Sequence, residues 1–164
     1  MGSEGRIALI DIAVPGFGLL ELTAVVCDFN GTLARDGQLV DGVPELLARV
    51  SRLLTVHVVT ADTFGTVRSA LASTGCDVAV IDGPDQALAK AAFVGRIGAS
   101  GVVAIGNGRN ERLMLASAAL GIGVIGDEGI AGEALSACDI VARNIGDALG
   151  LLLEPRRVIA SLRD

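Results

Sequence analysis

Five short apolar runs rich in Val and Ile recur along the chain, at residues 23–27, 56–60, 78–81, 102–105 and 122–125. Between them the apolar positions shift to a helical period, over 43–54, 63–73, 86–97, 110–120 and 132–137. Strand-length runs with no polar face, each followed by a helix-period segment, predict a parallel sheet covered by helices on both sides. The punctuation agrees with this reading: Pro44 suits the first turn of its helix, and Gly75, Gly98 and Gly121 stand where helix C-termini are expected. Ahead of the pattern, residues 6–14 and 19–22 flank Pro15-Gly16-Phe17-Gly18, which predicts an N-terminal β-hairpin. Residues 149–164 read as one more helix, started at the Glu154-Pro155 step. The expected architecture is one α/β domain over 1–164, a three-layer, doubly wound, Rossmann-like parallel sheet. It comprises a hairpin over 1–22, a core over 23–153 and a C-terminal helix over 154–164.

Composition narrows the function. A chain of 164 residues is long enough to bury roughly two-thirds of its unfolded surface in one core. With four Phe and no Trp or Tyr, that core must be built from Ala, Val, Ile and Leu. A net charge of -6 and no arginine cluster longer than Arg156-Arg157 argue against a nucleic-acid partner. Cys27, Cys76 and Cys138 are widely spaced and form no CxxC pair, so reduced thiols are expected instead of disulfides or a zinc site. No apolar stretch reaches the ~18 residues of a membrane helix, and no signal-peptide pattern opens the chain, so a cytoplasmic protein with no membrane partner is expected.

In a doubly wound sheet, ligands bind beyond the carboxyl ends of the strands, so the polar residues that follow each apolar run are candidates. Asp28 stands at the mouth of a buried run, where a carboxylate is desolvated unless a cation or amide donors face it. Asn30, Gly31 and Thr32 follow, offering backbone N–H groups and a hydroxyl to an anion. A carboxylate beside an anion-binding turn calls for a divalent cation between them, and hard oxygen ligands suit Mg²⁺. Asp28 would then be placed to attack a phosphoryl group. The alternative is a turn with a capping role only.

Asp28-Phe29-Asn30-Gly31-Thr32-Leu33, Val58-Val59-Thr60-Ala61-Asp62, Lys90 in a helix, and Gly106-Asn107-Gly108-Arg109-Asn110-Glu111 occur in that order. Together they resemble the motifs of the haloacid dehalogenase (HAD) superfamily, and most of all the phosphorylation domain of P-type ATPases and the small soluble proteins similar to it. The resemblance spans roughly 23–153. It implies a HAD-type fold and a hydrolase that works through an aspartyl phosphate on Asp28, with Mg²⁺ as cofactor. It further implies that Thr60, Ala61, Asn110, Gly31 and Thr32 hold the phosphate, and that Lys90 neutralises nucleophile and phosphate. Lys90 is the only lysine beside 12 arginines, which favours a special role over a solvated helix face. Asp28, Asn30, Asn107 and Glu111 are the implied metal set.

The chain departs from the family at two places. Asn107 stands where an acid binds the metal, which removes one negative charge, and Glu111 replaces the last Asp. Asn30 stands where most phosphatases of the superfamily carry a second Asp that serves as general acid and base. Losing that assistance typically slows a reaction about 10²- to 10⁴-fold, equivalent to about 3 to 5 kcal/mol of barrier. The backbone carbonyl of Asn30 still suits the metal. The implied enzyme forms its phosphoenzyme but hydrolyses it slowly, or acts on good leaving groups such as acyl or aryl phosphates. Its substrate is a small phosphate ester or a phosphoprotein; a catalytically weak phosphate- or partner-binding module is the alternative.

Only residues 33–55 and 64–86 fill the intervals where caps are inserted in the superfamily, so no cap domain is expected and the site should be open. Either the substrate is large or a neighbouring subunit supplies the lid; capless relatives often form oligomers, so a homo-oligomer is the expectation, with the apolar hairpin as a candidate contact surface. Three weaker signals are set aside. Gly121 to Gly126 matches GxGxxG, but the glycines follow a helix and span a strand, the reverse of a dinucleotide fingerprint. His57 lies in an apolar strand and reads as structural, and strand alternation points Cys27 away from the site.

Overall fold

The computed structural model describes residues 9–62 and 65–164. Its N-terminal pair, β1 (Ile10–Val14) and β2 (Gly18–Leu22), is an antiparallel hairpin in which Val14 pairs with Gly18. Ile12, Val14, Leu20 and Leu22 face inward and join the main core. The part of the expected hairpin before residue 9, and the start of the expected helix at 63 and 64, lie outside the described residues. The chain continues with β3 (Ala24–Asp28), a small ribbon of β4 (Ala34–Arg35) and β5 (Gln38–Leu39), α1 (Val43–Val50), β6 (Thr55–Thr60), α2 (Thr66–Leu71) and β7 (Asp77–Val80). After these come α3 (Gln86–Ile97), β8 (Val102–Gly106), α4 (Arg112–Ser117), β9 (Leu120–Val124), α5 (Gly132–Ala137), β10 (Ile140–Ala142), α6 (Ile145–Leu153) and α7 (Pro155–Leu162).

Six strands form one sheet in the order β10-β9-β8-β3-β6-β7, and every neighbouring pair is parallel. From β3 the chain winds outward through β6 and β7, then returns to place β8 on the other side of β3. The direction of winding therefore reverses between β3 and β8, and the crevice at their carboxyl ends is where such a sheet binds ligands. Asp28 ends β3, and Asn107 follows the last residue of β8.

Alternation along the central strands assigns each side chain to one layer. Val25 and Cys27 of β3, Val56 and Val58 of β6, and Val103 and Ile105 of β8 pack under α1, α2 and α6. Ala24, Val26, Val59, Val102 and Ala104 pack on the opposite face with Val94 of α3, Met114 of α4 and Ala134 of α5. Asp28 shares the parity of Ala24 and Val26, so its side chain belongs to the α3 side, while Cys27 points into the other layer. Burying a Val or Ile side chain contributes about 1.5–3 kcal/mol. A strand buried at every position, as β3 is, can therefore hold a carboxylate at its end against the cost of desolvation.

The structure differs from the sequence reading in a few elements. Leu120 opens β9 instead of closing α4, because Gly121 brings that strand against the preceding helix: a Cβ there would lie 2.6 Å from the Leu115 carbonyl oxygen. That close approach explains the first glycine of the GxGxxG match. A sixth strand, β10, extends the sheet by only three residues. The C-terminal segment is two helices that meet at Glu154, since Pro155 has no N–H to continue α6 and instead starts α7. Between β3 and β6 and between β6 and α3, the described residues hold only the short ribbon, α1, α2 and β7, with no inserted cap.

Candidate active site

Asp28 is 7% exposed, and one of its carboxylate oxygens, Oδ1, accepts a hydrogen bond from Lys90 Nζ at 2.8 Å. Lys90 lies on the inner face of α3 with Ala87 and Val94, a helix whose N-terminus is capped by Asp85 accepting from the Leu88 N–H at 3.1 Å. The ammonium also donates to Glu111 Oε1 at 2.5 Å, and Glu111 Oε2 accepts from the Gly108 N–H at 2.6 Å. Lys90 and Glu111 are 2% and 1% exposed. One buried ammonium thus lies between two buried carboxylates.

The electrostatics follow from that imbalance. Burial, then the neighbouring Glu111 charge, push the Asp28 carboxyl up to about 7, against the opposing pull of Lys90. Burial works against the Lys90 ammonium, but the two carboxylates more than offset it and hold its pKa above the usual value. With both carboxylates ionised the cluster carries one negative charge in excess, and a further cation would relieve it.

A cavity of about 460 Å³ opens above Asp28, lined by Asn30, Thr60, Ala61, Lys90, Asn107, Asn110 and Glu111. Eight sequence-expected site residues, including Asp28, therefore meet at one place. Thr60 is buried, and its hydroxyl accepts from the Asp62 N–H at 3.1 Å, which fixes the turn after β6. Asn107 is 6% exposed and bridges three segments. Its Oδ1 accepts from Thr32 Oγ1 at 3.3 Å, its Nδ2 donates to the Gly129 carbonyl at 3.4 Å, and its own carbonyl accepts from the Ala131 N–H at 2.9 Å.

Three of the expected site residues have protein partners in the structure. Glu111 was placed among the metal ligands, but its two oxygens are taken by Lys90 and Gly108, so it anchors the lysine. Thr32 was expected to face the phosphate; its hydroxyl instead turns to Asn107 and its N–H donates to the Phe29 carbonyl at 3.3 Å. The Gly31 N–H donates to Ala34 at 2.9 Å, so neither Gly31 nor Thr32 directs its backbone donor at the cavity. Gly31, at φ 79°, makes the turn that folds the chain back.

Two cavity residues with polar side chains were missed by the sequence reading, Gln86 and Glu128. Gln86 stands one helical turn before Lys90 on α3, so a helical spacing would have found it. Its Nε2 donates to the carbonyls of Ile81 and Gly83, at 3.2 and 3.0 Å. Glu128 lies in the loop after β9, a strand end that the rule for doubly wound sheets includes.

The residues present suit a divalent cation. Asp28, Asn107 and Glu128 offer hard oxygens, and a Cβ at Gly31 would occupy a cradle between Glu128 and Asn107 Oδ1. Among the described residues no group of three or more His, Cys, Asp or Glu could hold a metal ion, so a cation here must draw on amide or backbone oxygens besides carboxylates.

The architecture is that of the HAD-type phosphatases. The 3-deoxy-D-manno-octulosonate 8-phosphate phosphatase from Moraxella catarrhalis, whose crystals hold magnesium, phosphate and the sugar, superposes with a TM-score of 0.64 at 16% identity, over 85% of this chain and 90% of that one. The cobalt-bound enzyme of Haemophilus influenzae gives 0.64 at 14% identity, over 85% and 91% of the two chains. A phosphatase of the HAD enzyme superfamily from Bacteroides thetaiotaomicron gives 0.58 at 10% identity, over 98% of each. No family model matches the sequence. The chain belongs to the same family as the uncharacterized protein MJ0073 of Methanocaldococcus jannaschii, being 51% identical to it over 63 residues, which are 38% of this chain and 68% of that protein.

Proposed function

We propose that the protein is a Mg²⁺-dependent phosphohydrolase or phosphotransferase in which Asp28 becomes transiently phosphorylated. The observation that carries this reading is the buried pairing of Lys90 with Asp28 at 2.8 Å, at the strand crevice of a fold shared with a phosphatase crystallised with magnesium and phosphate. An Asp28 oxygen attacks phosphorus; the new O–P bond forms as the bond to the leaving oxygen breaks, and that oxygen departs with the bonding pair. Lys90 lowers the energy of the negative charge on Asp28 and on the entering phosphoryl group, while Glu111 fixes the lysine in position. Thr60, Ala61 and Asn110 line the space left for the phosphoryl oxygens. When bound, Mg²⁺ would supply charge neutralisation between carboxylate and phosphate, held by Asp28, the Asn30 carbonyl and Asn107.

Asn30 cannot donate a proton to the leaving oxygen or take one from the attacking water. Substrates whose leaving groups need no protonation, acyl and aryl phosphates, are therefore favoured, and water attack on the aspartyl phosphate is the slow step. The test is phosphate release from acetyl phosphate, an aryl phosphate and an alkyl phosphate with Mg²⁺. At low substrate concentration, where kcat/KM reads the phosphorylation step alone, release should fall in that order and vanish in Asp28→Asn; an alkyl phosphate with the same kcat/KM as acetyl phosphate would overturn the reading.

A further inference from the structure

The amide at position 107 leaves the cation site one charge short, and a carboxylate from another segment lies beside it. Glu128 sits on the loop between β9 and α5 and lines the same cavity as Asp28 and Asn107. Its side chain packs against the bare Cα of Gly31: a Cβ there would collide with Glu128 Oε2 and stand 3.3 Å from Asn107 Oδ1. The carboxylate and the amide oxygen thus flank one small space that only glycine leaves open.

Asn107 itself holds that loop in place, through the Ala131 N–H at 2.9 Å and the Gly129 carbonyl at 3.4 Å. Arg35 pairs with Asp127 just before it. The described ion pairs take up Asp127, Glu133 and Asp147 but not Glu128. Glu128 is exposed at the rim of the cavity that holds Asp28 and Glu111 against one ammonium, within reach of a cation bound there.

We propose that Glu128 contributes its carboxylate to the divalent-cation site and so replaces the charge that Asn107 lacks. The proposal rests on the reading of a metal-dependent site given above. In that arrangement the loop after β9 does what the residue after β8 does elsewhere, and Gly31 is required because any side chain there would separate the two oxygens.

The test is Mn²⁺ binding to the intact protein without substrate, read from the electron paramagnetic resonance of free Mn²⁺, for the wild type and for Glu128→Gln, Asn107→Asp, the double variant and Asp28→Asn. Glu128→Gln should weaken binding about 10-fold or more, at the scale of losing a supporting ligand. Adding Asn107→Asp to Glu128→Gln should return affinity to the wild-type range. If Glu128→Gln binds Mn²⁺ as the wild type does while Asp28→Asn does not, the proposal is overturned and the metal site stands. A loss that Asn107→Asp fails to restore also overturns it, assigning Glu128 to the loop's structure. If the wild type binds no Mn²⁺ at millimolar concentration, both the proposal and the metal-dependent reading fall. Thermal melting of each variant without metal serves as the folding control.

Discussion

Lys90 reaches Glu111 at 2.5 Å, closer than the 2.8 Å at which it reaches Asp28. Glu111 thus gives the ammonium a second buried partner besides Asp28, which under the proposed function would hold the lysine in place while Asp28 carries a phosphoryl group. Removing one member of a buried ion pair typically destabilises by about 3–5 kcal/mol because the other charge is left uncompensated. Lys90→Met, which leaves two carboxylates buried together, is expected to fall in that range. Glu111→Gln should be milder, since Lys90 and Asp28 still neutralise each other. Urea unfolding of the two variants checks the order; equal losses would contradict this account of the cluster.

Under the proposed function, replacing Asn30 by Asp supplies a proton donor and acceptor that the site lacks. Steady-state hydrolysis of an alkyl phosphate should rise about 10²- to 10⁴-fold, the usual scale of general acid–base assistance. Acetyl phosphate should gain less in the first step, because its leaving group needs no proton. No gain for the alkyl ester in an otherwise active enzyme would contradict the role given to Asn30.

Gly31→Ala places a side chain at φ 79°, in the left-handed region. The backbone term alone should destabilise by about 1–2 kcal/mol, and the Glu128 carboxylate must move aside as well. Thermal denaturation gives the first effect. The second shows as weaker Mn²⁺ binding in the fraction that remains folded.

His57 is half-buried on β6, edge-on to Phe93 at 5.5 Å between ring centroids. Burial lowers its pKa below the ordinary 6.5, against the opposing charge of Asp77. The unfolded chain therefore takes up a proton on His57 before the folded one does. Stability from this group is full above pH 6.5 and is lost as pH falls below it toward the folded value. Denaturant midpoints measured across that window should decline toward acid in the wild type and decline less in His57→Gln.

Much of this was legible in the residues. The parallel core and the two-layer cover follow from runs with no polar face, and the helical period over 86–97 with Gly98 after it gives the observed span of α3, which Asp85 caps at its start. Asp28, Thr60, Lys90 and Asn107 were read as one site because each follows a strand or matches a motif. What escaped depends on long-range packing. The three-residue β10 carries too little periodicity to announce itself, and the break at Glu154 was read as a start alone. That Glu111 meets Lys90 and the Gly108 N–H depends on the tertiary fold and has no signal in its motif. Glu128 lies in a glycine-flanked loop with no motif of its own, and only the approach of that loop to Gly31 gives it a place in the site.

The central claim is that phosphorus becomes bonded to the Asp28 carboxylate. Its most direct test is the intact mass of the acid-quenched protein after incubation with Mg²⁺ and acetyl phosphate. The expected result is a single added phosphoryl group on the wild type, located on the peptide that contains Asp28, and none on Asp28→Asn. An unmodified wild type that still releases phosphate under the same quench, or an adduct that persists in Asp28→Asn, would contradict it.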